Sequence, residues 1–290
     1  MSPAGPPFLC VGAAHWDIIA RTAAPLPPGA DVPGRVSRQP GGVAQNVARA
    51  LAALGRPVAL LSAIGRDRAG DELAAGLAAA GIDCAVLLRH DTPTDCYLAI
   101  EGAGGALHAG VADCTGLERA GLALLAPLDD RRPRGPAVLD GNLPPPVIEA
   151  ALRHPALAAA PLALVPASPE KAARLAPFLA LRPATLYLNR LEAEALCARP
   201  FPDSRTAAEA LRAAGAAHAI VTNGDRSAAS AGPHGNVTLA PPPVTAASVT
   251  GAGDVFVAAH LAARADGLDP ETALRTALTA AARHITCEAP

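Results

Sequence analysis

Short apolar segments alternate with amphipathic helical segments along almost the whole chain, and this alternation limits the fold more than any other feature. The segments predicted as strands are residues 8–12, 58–64, 137–139, 162–165, 186–188 and 219–222. Helices are predicted between them, including residues 43–54 and 71–80. Repeated strand–helix–strand units form parallel sheets that helices cover on both faces. In open sheets of this kind, ligands bind at the carboxyl ends of the strands.

Three helix starts carry capping signals. The segments Thr115 to Glu118 and Thr206 to Glu209 have the spacing of a capping box, in which the first and fourth side chains each bond the other's backbone. Asp269 and Pro270 supply an N-cap and a proline at the first helical position. These signals predict helix starts at or next to Thr115, Thr206 and Pro270.

Two stretches interrupt the alternation. Residues 97–101 and 106–110 flank the glycine-rich residues 102–105, which is a strong signal for a β-hairpin. Residues 13–40 are rich in proline and glycine and lack a helical period. We predict a single domain over residues 1–290, with a small β lid from about 13–40 and 92–113 that closes over a substrate. The alternative is a surface hairpin and a plain loop.

Composition and motif searches exclude several classes of protein. The chain has 290 residues, 51% of them hydrophobic, and a net charge of -2, which suits one α/β domain with an insertion. Its basic residues are scattered singly, and no apolar run reaches the length of a membrane span, so neither nucleic acid nor a membrane is an expected partner. The six cysteines are widely spaced and no secretion signal is visible, so a cytoplasmic location without a structural metal is expected.

The segment from Val249 to Ala259 combines a turn of small residues with a carboxylate. Gly251, Ala252 and Gly253 precede a breaker-free helical stretch, so their backbone N–H groups and the helix dipole favour a bound anion. Asp254 follows in the first turn, where a carboxylate can take a proton from a hydroxyl while the amides hold charge on a phosphoryl group. The alternative is an ordinary helix cap made of glycine and aspartate.

A second glycine-rich helix start lies far from the first in the sequence. Gly41 and Gly42 precede the helix predicted at 43–54 and would let another molecule approach the backbone closely. Asn46, one turn into that helix, can donate to and accept from a sugar hydroxyl. The two segments together are more specific than either one alone.

With these two segments, the chain resembles the ribokinase-like carbohydrate and nucleoside kinases of the PfkB family. The resemblance extends from Val11 to about Thr286 and implies a three-layer α/β sandwich with a mostly parallel sheet and a small β lid. Several stretches look most like pseudouridine kinases within that family. These stretches are residues 33–46, Asn189-Arg-Leu-Glu-Ala-Glu194 and Ser168-Pro-Glu-Lys-Ala-Ala-Arg174.

The resemblance also implies roles for individual residues. Asp254 would be the general base that deprotonates a ribose 5′-hydroxyl as it attacks the γ-phosphate of ATP, and the amides of Gly251, Ala252 and Gly253 would form the anion hole. The sugar would be bound by Asp17, Gly41, Gly42 and Asn46. The Mg²⁺ ion, through its water shell, and the ATP phosphates would be held by Asn189, Glu192, Thr222 and Gly224. For the last group, a helix start at Asn189 and a strand end at Thr222 are the purely structural alternatives.

Some positions depart from the family pattern, and some alternatives stay open. His15 stands where an asparagine is usual, Ser248 replaces an aspartate, and Asp225 adds a negative charge to the ATP phosphate loop. Trp16 either packs under the lid or stacks on a nucleobase. No GxxxxGK[ST] and no GxGxxG motif is present, which argues against P-loop and dehydrogenase chemistry. The sequence leaves open the exact nucleoside or sugar, a non-catalytic nucleoside-binding role, use of a monovalent cation and a homodimer formed through the lid.

Overall fold

The computed structural model describes residues 6–23, 25–27, 29, 31–102, 107–131, 133–245 and 250–286. In chain order, the strands are β1 (Phe8–Val11), β2 (His15–Thr22), β3 (Gly34–Gly41), β4 (Val58–Leu61), β5 (Ala63–Gly65), β6 (Leu88–His90), β7 (Cys96–Glu101), β8 (Leu107–Asp113), β9 (Ala137–Asp140), β10 (Leu162–Val165), β11 (Thr185–Asn189), β12 (His218–Asn223), β13 (Arg226–Gly232) and β14 (Gly235–Leu239). The α-helices are α1 (Val43–Ala53), α2 (Arg68–Ala79), α3 (Thr115–Ala120), α4 (Pro145–Arg153), α5 (Pro169–Ala173), α6 (Arg190–Cys197), α7 (Ser204–Ala213), α8 (Ala252–Ala265) and α9 (Pro270–Thr286).

The central sheet has eight strands in the order β14-β13-β12-β11-β10-β9-β1-β4. The six strands from β12 to β4 are parallel to their neighbours, and β13 and β14 extend the sheet antiparallel at one edge. One apolar core lies between the sheet and α1, α2, α8 and α9, and a second contains residues of α3, α4, α5, α6 and α7. The predicted mostly parallel sheet with helices on both faces is confirmed.

The order in which the strands are added to the central sheet reverses at β1. From β1 the chain runs outward to β4 at one edge, and it later returns to β9 on the other side and continues through β10, β11 and β12. Strands that leave in opposite directions open a crevice at their carboxyl ends, where ligands bind in sheets of this type. Asp140, the last residue of β9, lies at this switch point.

A second sheet of four strands, which we call the small sheet, has the order β3-β2-β7-β8. Its strands fall in the two stretches that interrupt the alternation, and β7 pairs antiparallel with β8 as a hairpin requires. Residues 103–106, which hold most of the predicted hairpin turn, lie outside the described residues. The closing motion of a lid and a homodimer formed through it stay predictions.

The segment predicted as one strand over residues 58–64 contains two strands in different sheets. The central sheet keeps Val58–Leu61, and Ala63–Gly65 pairs with Leu88–His90. The Ser62 carbonyl accepts a hydrogen bond from the Leu88 amide at 2.8 Å, which places the change of partner at Ser62. A continuous apolar pattern therefore concealed a break in the strand.

Helix α3 starts at Thr115 as predicted, but two of the three predicted caps differ from those in the structure. Cys114 is the N-cap of α3, and the buried carboxylate of Asp95 accepts from the Gly116 and Leu117 amides at 2.7 and 3.0 Å. Helix α7 starts at Ser204, and its N-cap Asp203 accepts from the Thr206 amide at 2.8 Å. The predicted capping boxes at Thr115 and Thr206 are wrong, because the Thr115 amide donates to Asp113 at 3.1 Å and the Thr206 amide donates to Asp203.

The predicted cap of the last helix is confirmed. Asp269 accepts hydrogen bonds from the Glu271 and Thr272 amides, both at 3.0 Å, and Pro270 is the first helical residue. Helix α2 begins earlier than predicted, at Arg68, because Asp67 caps it by accepting from the Gly70 amide. Across the described part of the chain, no helix is long and apolar enough to cross a bilayer.

Candidate active site

The N-terminus of α8 presents a turn of backbone amides. Gly251 is the N-cap and has a φ of 77°, in the left-handed region that glycine adopts readily. Its carbonyl accepts from the Val255 amide at 3.0 Å, so the N–H groups of Gly251, Ala252 and Gly253 have no acceptor inside the helix. With the helix dipole behind them, these amides can stabilise an anion. Residues 246–249, including Ser248, lie outside the described residues.

Asp254 lies in the first turn of α8 and contacts Asn46 of α1. The Asn46 Nδ2 donates to Asp254 Oδ2 at 2.8 Å, although 208 residues separate the two. Burial raises the pKa of Asp254 to about 7, and the nearby carboxylates of Asp140, Asp17 and Glu192 add to the rise. The hydrogen bond from Asn46 favours the ionised form and lowers the pKa. A carboxylate with such a pKa is suited to general base catalysis near neutral pH.

The two glycines before α1 leave room for other parts of the same chain. A Cβ on Gly41 would collide with the carboxylate of Asp17, and a Cβ on Gly42 would collide with the carbonyl of Ala13. Gly42, the N-cap of α1, also has a φ of 98°. The close approach predicted at these glycines is therefore made here by Asp17 and Ala13 themselves, and it holds the Asp17 carboxylate against the start of α1.

His15 and Trp16, whose roles the sequence left open, both lie beside Asp17. His15 Nδ1 lies 3.2 Å from Asp17 Oδ1, so this departure from the family pattern contacts the carboxylate predicted to bind the sugar. Trp16 donates from Nε1 to the carbonyl of Ala69 at 2.9 Å, and the guanidinium of Arg38 stacks 3.8 Å from its ring centre. Trp16 thus packs between the small sheet and α2, as the packing alternative expected.

Asp140 is a buried carboxylate at the centre of the site that the sequence interpretation missed. Its Oδ2 accepts from the amides of Ala13 and Ala44 at 2.9 and 3.1 Å, and its Oδ1 accepts from the Asn142 amide and side chain, both at 2.7 Å. Burial raises the pKa of Asp140. The available signal was the Asp140-Gly-Asn142 sequence directly after a buried strand, which places polar groups at the carboxyl end of β9.

Lys171 extends this polar cluster. Its Nζ donates to Asn142 Oδ1, so a chain of contacts runs from the ammonium group through Asn142 to the buried Asp140. Lys171 lies on α5, which follows β10 and so stands on the carboxyl side of the sheet. The cluster therefore adds one positive charge to a region that contains the carboxylates of Asp140 and Asp17.

Asn189 and Glu192 form a capping box at the start of α6. Asn189 Oδ1 accepts from the Glu192 amide at 2.9 Å, and Glu192 Oε2 accepts from the Asn189 amide at 2.8 Å. Burial raises the pKa of Glu192 to about 7. The helix-start alternative thus describes what these side chains do in this structure. In the part of the chain that the structure describes, no group of three or more His, Cys, Asp or Glu side chains could hold a metal directly.

Thr222 and Gly224 lie at the carboxyl end of β12. Thr222 is paired with Asn189 of the neighbouring strand, and Gly224 has a φ of 61° in the exposed turn before β13. Asp225 is exposed in the same turn. The structure therefore places the residues predicted for ATP on β11 and β12, and those predicted for the sugar near β1 and α1. Asp254 lies near one residue of each set, since the charges of Asp17 and Glu192 both raise its pKa.

Comparisons with known proteins bear on the sequence and the fold of the whole chain. The sequence pattern of the pfkB family carbohydrate kinases matches residues 8–290. A segment of 91 residues is 40% identical to the uncharacterized sugar kinase YeiI of Escherichia coli K12, covering 31% of this chain and only 25% of that relative.

Two solved structures extend the comparison to almost the whole chain. A carbohydrate kinase from Agrobacterium tumefaciens has a TM-score of 0.80 at 29% identity, with 98% of this chain and 92% of that chain covered. Arabidopsis thaliana ribokinase, solved with ribose and ATP, has a TM-score of 0.79 at 19% identity, with 98% and 94% covered. At that identity the ribokinase comparison supports the fold alone.

Proposed function

Because the chain belongs to the pfkB family of carbohydrate kinases, it is a phosphotransferase that acts on an alcohol group, and we propose that its acceptor is the 5′-hydroxyl of pseudouridine. The phosphoryl donor would be ATP. The observation that carries the catalytic part of this proposal is the contact between Asn46 and Asp254 at the opening of α8. This contact joins the two glycine-rich segments into one site.

Asp254 is the general base of the proposed reaction. With a pKa of about 7, a substantial fraction of the carboxylate is ionised at neutral pH and can accept the proton of the attacking hydroxyl. The hydrogen bond from Asn46 to Oδ2 fixes the carboxyl group and leaves Oδ1 available for that proton. General base catalysis of this kind contributes about 10² to 10⁴ in rate.

The amides at the start of α8 stabilise the transferred phosphoryl group. Charge develops on its oxygens during transfer, and the N–H groups of Gly251, Ala252 and Gly253 are fixed before the reaction starts. The small side chains of these three residues keep the approach to the backbone open. A single donor of this type is worth roughly 3 kcal/mol in barrier height.

The donor side of the site lies at β11 and β12. Thr222 and Gly224 would line the phosphates of ATP, the donor that the resemblance to the pfkB kinases implies. Glu192 is a single buried carboxylate beside Asn189, which fits an Mg²⁺ ion that keeps most of its waters better than one held by several protein ligands. Bound there, the ion would neutralise phosphate charge. Dependence on a monovalent cation remains a prediction.

The choice of a nucleoside over a free sugar depends on the polar cluster at the end of β9, and the choice of pseudouridine depends on the sequence resemblance. Lys171 is the single lysine of a chain whose 24 basic residues are otherwise arginines, and it lies in the stretch that resembles pseudouridine kinases. Its ammonium group donates to Asn142 Oδ1 and has further N–H donors that can bond a carbonyl oxygen of a uracil ring. A free sugar has no carbonyl oxygen of that kind once its ring is closed. The cluster therefore favours a nucleoside acceptor.

The proposal is tested by measuring ADP release with pseudouridine, uridine, adenosine, ribose and fructose 6-phosphate. We expect the highest kcat/KM with pseudouridine. A preference for ribose would contradict the nucleoside assignment and leave a sugar kinase. No turnover with any acceptor, together with retained nucleoside binding, would instead indicate a non-catalytic nucleoside-binding relative.

The role of Lys171 is tested with Lys171→Gln. Loss of the ammonium group should raise the KM for pseudouridine about tenfold, as expected for a charge-assisted hydrogen bond, and should change the KM for ribose little. Arg174→Gln is the matched control, because Arg174 follows α5 and pairs with the exposed Glu170. Equal effects of Lys171→Gln on both acceptors would contradict a contact with the base.

A further inference from the structure

We propose that His284 is a positioning residue of the anion hole, acting through the peptide bond between Thr250 and Gly251. The inference rests on the proposed function, since it assigns a role in placing one of the amides that would receive the phosphoryl group. Neither the sequence motifs nor the family comparison singles out His284. The role follows from a contact between the end of one helix and the start of another.

His284 lies in the last turn of α9, and α9 packs against α8. Its Nε2 is 2.9 Å from the carbonyl oxygen of Thr250, 34 residues earlier in the chain. A carbonyl oxygen can only accept, so Nε2 carries a proton and donates to it. The imidazole thereby links the end of α9 to the turn that opens α8.

The peptide geometry transmits this contact to the anion hole. A trans peptide is planar, and its C=O and N–H groups point in opposite directions. Because the Thr250 oxygen points toward His284, the N–H of Gly251 points away from α9. A rotation of this peptide would turn the N–H away and direct a carbonyl oxygen toward the bound anion, which would replace an attraction with a repulsion.

This peptide needs a restraint because a glycine follows it. Gly251 has a φ of 77° and can reach other backbone conformations at little steric cost. The imidazole also lies directly over the turn, since a Cβ on Gly251 would be 3.3 Å from His284 Nε2. The hydrogen bond to Thr250 and this close packing together favour one orientation of the Gly251 amide.

Two substitutions separate the hydrogen bond from the packing. His284→Gln keeps an N–H donor close to the position of Nε2, and His284→Leu keeps apolar bulk without a donor. Thr276→Ala is a matched control, because Thr276 is exposed on α9 and bonds only within that helix. We expect His284→Leu to lower kcat about fivefold, corresponding to the loss of one ordinary hydrogen bond, with the acceptor KM and the thermal midpoint unchanged. His284→Gln should restore kcat to within about twofold.

A binding measurement makes the inference independent of turnover. Inorganic phosphate is titrated into ¹⁵N-labelled protein, and the amide resonance of Gly251 is followed. We expect phosphate to shift this resonance in the wild type and in His284→Gln, and to shift it much less in His284→Leu.

The outcomes distinguish the inference from the proposed function. Equal losses of kcat and of the resonance shift in His284→Leu and His284→Gln would overturn the inference, as would wild-type behaviour of both variants. If the wild type phosphorylates no acceptor but the resonance shifts differ as expected, the proposed function fails and the inference stands. If the wild type phosphorylates an acceptor but all three proteins respond identically to phosphate, the inference is overturned and the proposed function stands.

Discussion

Helices α1 and α8 begin with the same local signal but use their N-termini differently. Each has a glycine N-cap with positive φ, 98° at Gly42 and 77° at Gly251, and neither N-cap supplies a capping side chain. At α1, the Ala44 amide donates to the buried carboxylate of Asp140. At α8, the carboxylate in the first turn belongs to Asp254, and it accepts a hydrogen bond from Asn46.

This difference separates a structural helix start from a candidate catalytic one. A carboxylate beside α1 satisfies an amide and repels anions, so this end of the site suits neutral hydroxyl groups. The first amides of α8 have no acceptor within the helix and can receive a phosphoryl group. Glycines before a helix are therefore insufficient evidence for an anion site. The position of the nearest buried carboxylate decides between the two roles.

The substitution Asp254→Asn tests whether the start of α8 is catalytic, and its expected effect is the largest. The amide keeps the shape of the side chain but cannot accept the hydroxyl proton, so we expect turnover to fall about a thousandfold at an unchanged thermal midpoint. Asp266→Asn is the control, since Asp266 is exposed at the opposite end of α8. ADP release measures the effect. Turnover within tenfold of the wild type would remove Asp254 from the chemistry.

The α1 side of the contrast is tested with Asp140→Ala. Removal of this carboxylate leaves the buried amides of Ala13 and Ala44 without their acceptor, so the free energy of unfolding should fall by about 3 kcal/mol. Urea unfolding gives that value. Asp91→Ala is the control, because it removes only a surface ion pair with Arg66 and should cost less than about 1 kcal/mol. Similar losses in both variants would contradict a special role for Asp140.

A matched pair of glycine substitutions compares the two helix starts directly. Gly42→Ala should destabilise the protein by about 2 kcal/mol, because of the positive φ and the collision with Ala13. Gly253→Ala meets no atom within 4 Å and should leave stability unchanged or raise it by about 0.5 kcal/mol. It should nevertheless lower kcat roughly tenfold, because the methyl group narrows the approach to the amides. A loss of stability without a loss of kcat in Gly253→Ala would make both glycines structural.

The sequence was informative where a signal is local. The alternation of strands and helices, the turn before Asp254 and the cap at Asp269 each depend on residues that are close in the chain, and the structure contains all three features. The family assignment also depended on two such segments.

The parts that escaped prediction depend on distant partners. Asp140 bonds Ala13 and Ala44, which are 127 and 96 residues away, and Asp95 caps α3 from 21 and 22 residues away. An aspartate at the end of a strand indicates polar groups there, but the sequence does not identify such distant partners. The wrong capping boxes have a local cause instead, because Thr115 and Thr206 have suitable spacing but their amides donate to Asp113 and Asp203, two and three residues earlier.

The pH dependence of turnover tests the contact between Asn46 and Asp254 at the start of α8, and its expected effect is the smallest. The base must be ionised, so kcat should rise with pH through about 7 and level off above it. Asn46 stabilises the ionised form of Asp254, so Asn46→Ala should raise the pKa of that carboxyl and move the acidic limb to higher pH. At saturating acceptor, the loss of kcat in Asn46→Ala relative to the wild type should be largest at acidic pH and should become smaller as the pH rises.

Asn236→Ala is the control for this measurement, since Asn236 is exposed on β14, donates to Glu209 and should leave the limb in place. The comparison also separates two roles of Asn46. If Asn46 only bound the sugar, Asn46→Ala would raise the acceptor KM at every pH and leave the kcat limb unmoved. A shift of the limb at saturation therefore requires the contact with Asp254, because at saturation a weaker hold on the sugar no longer limits the rate.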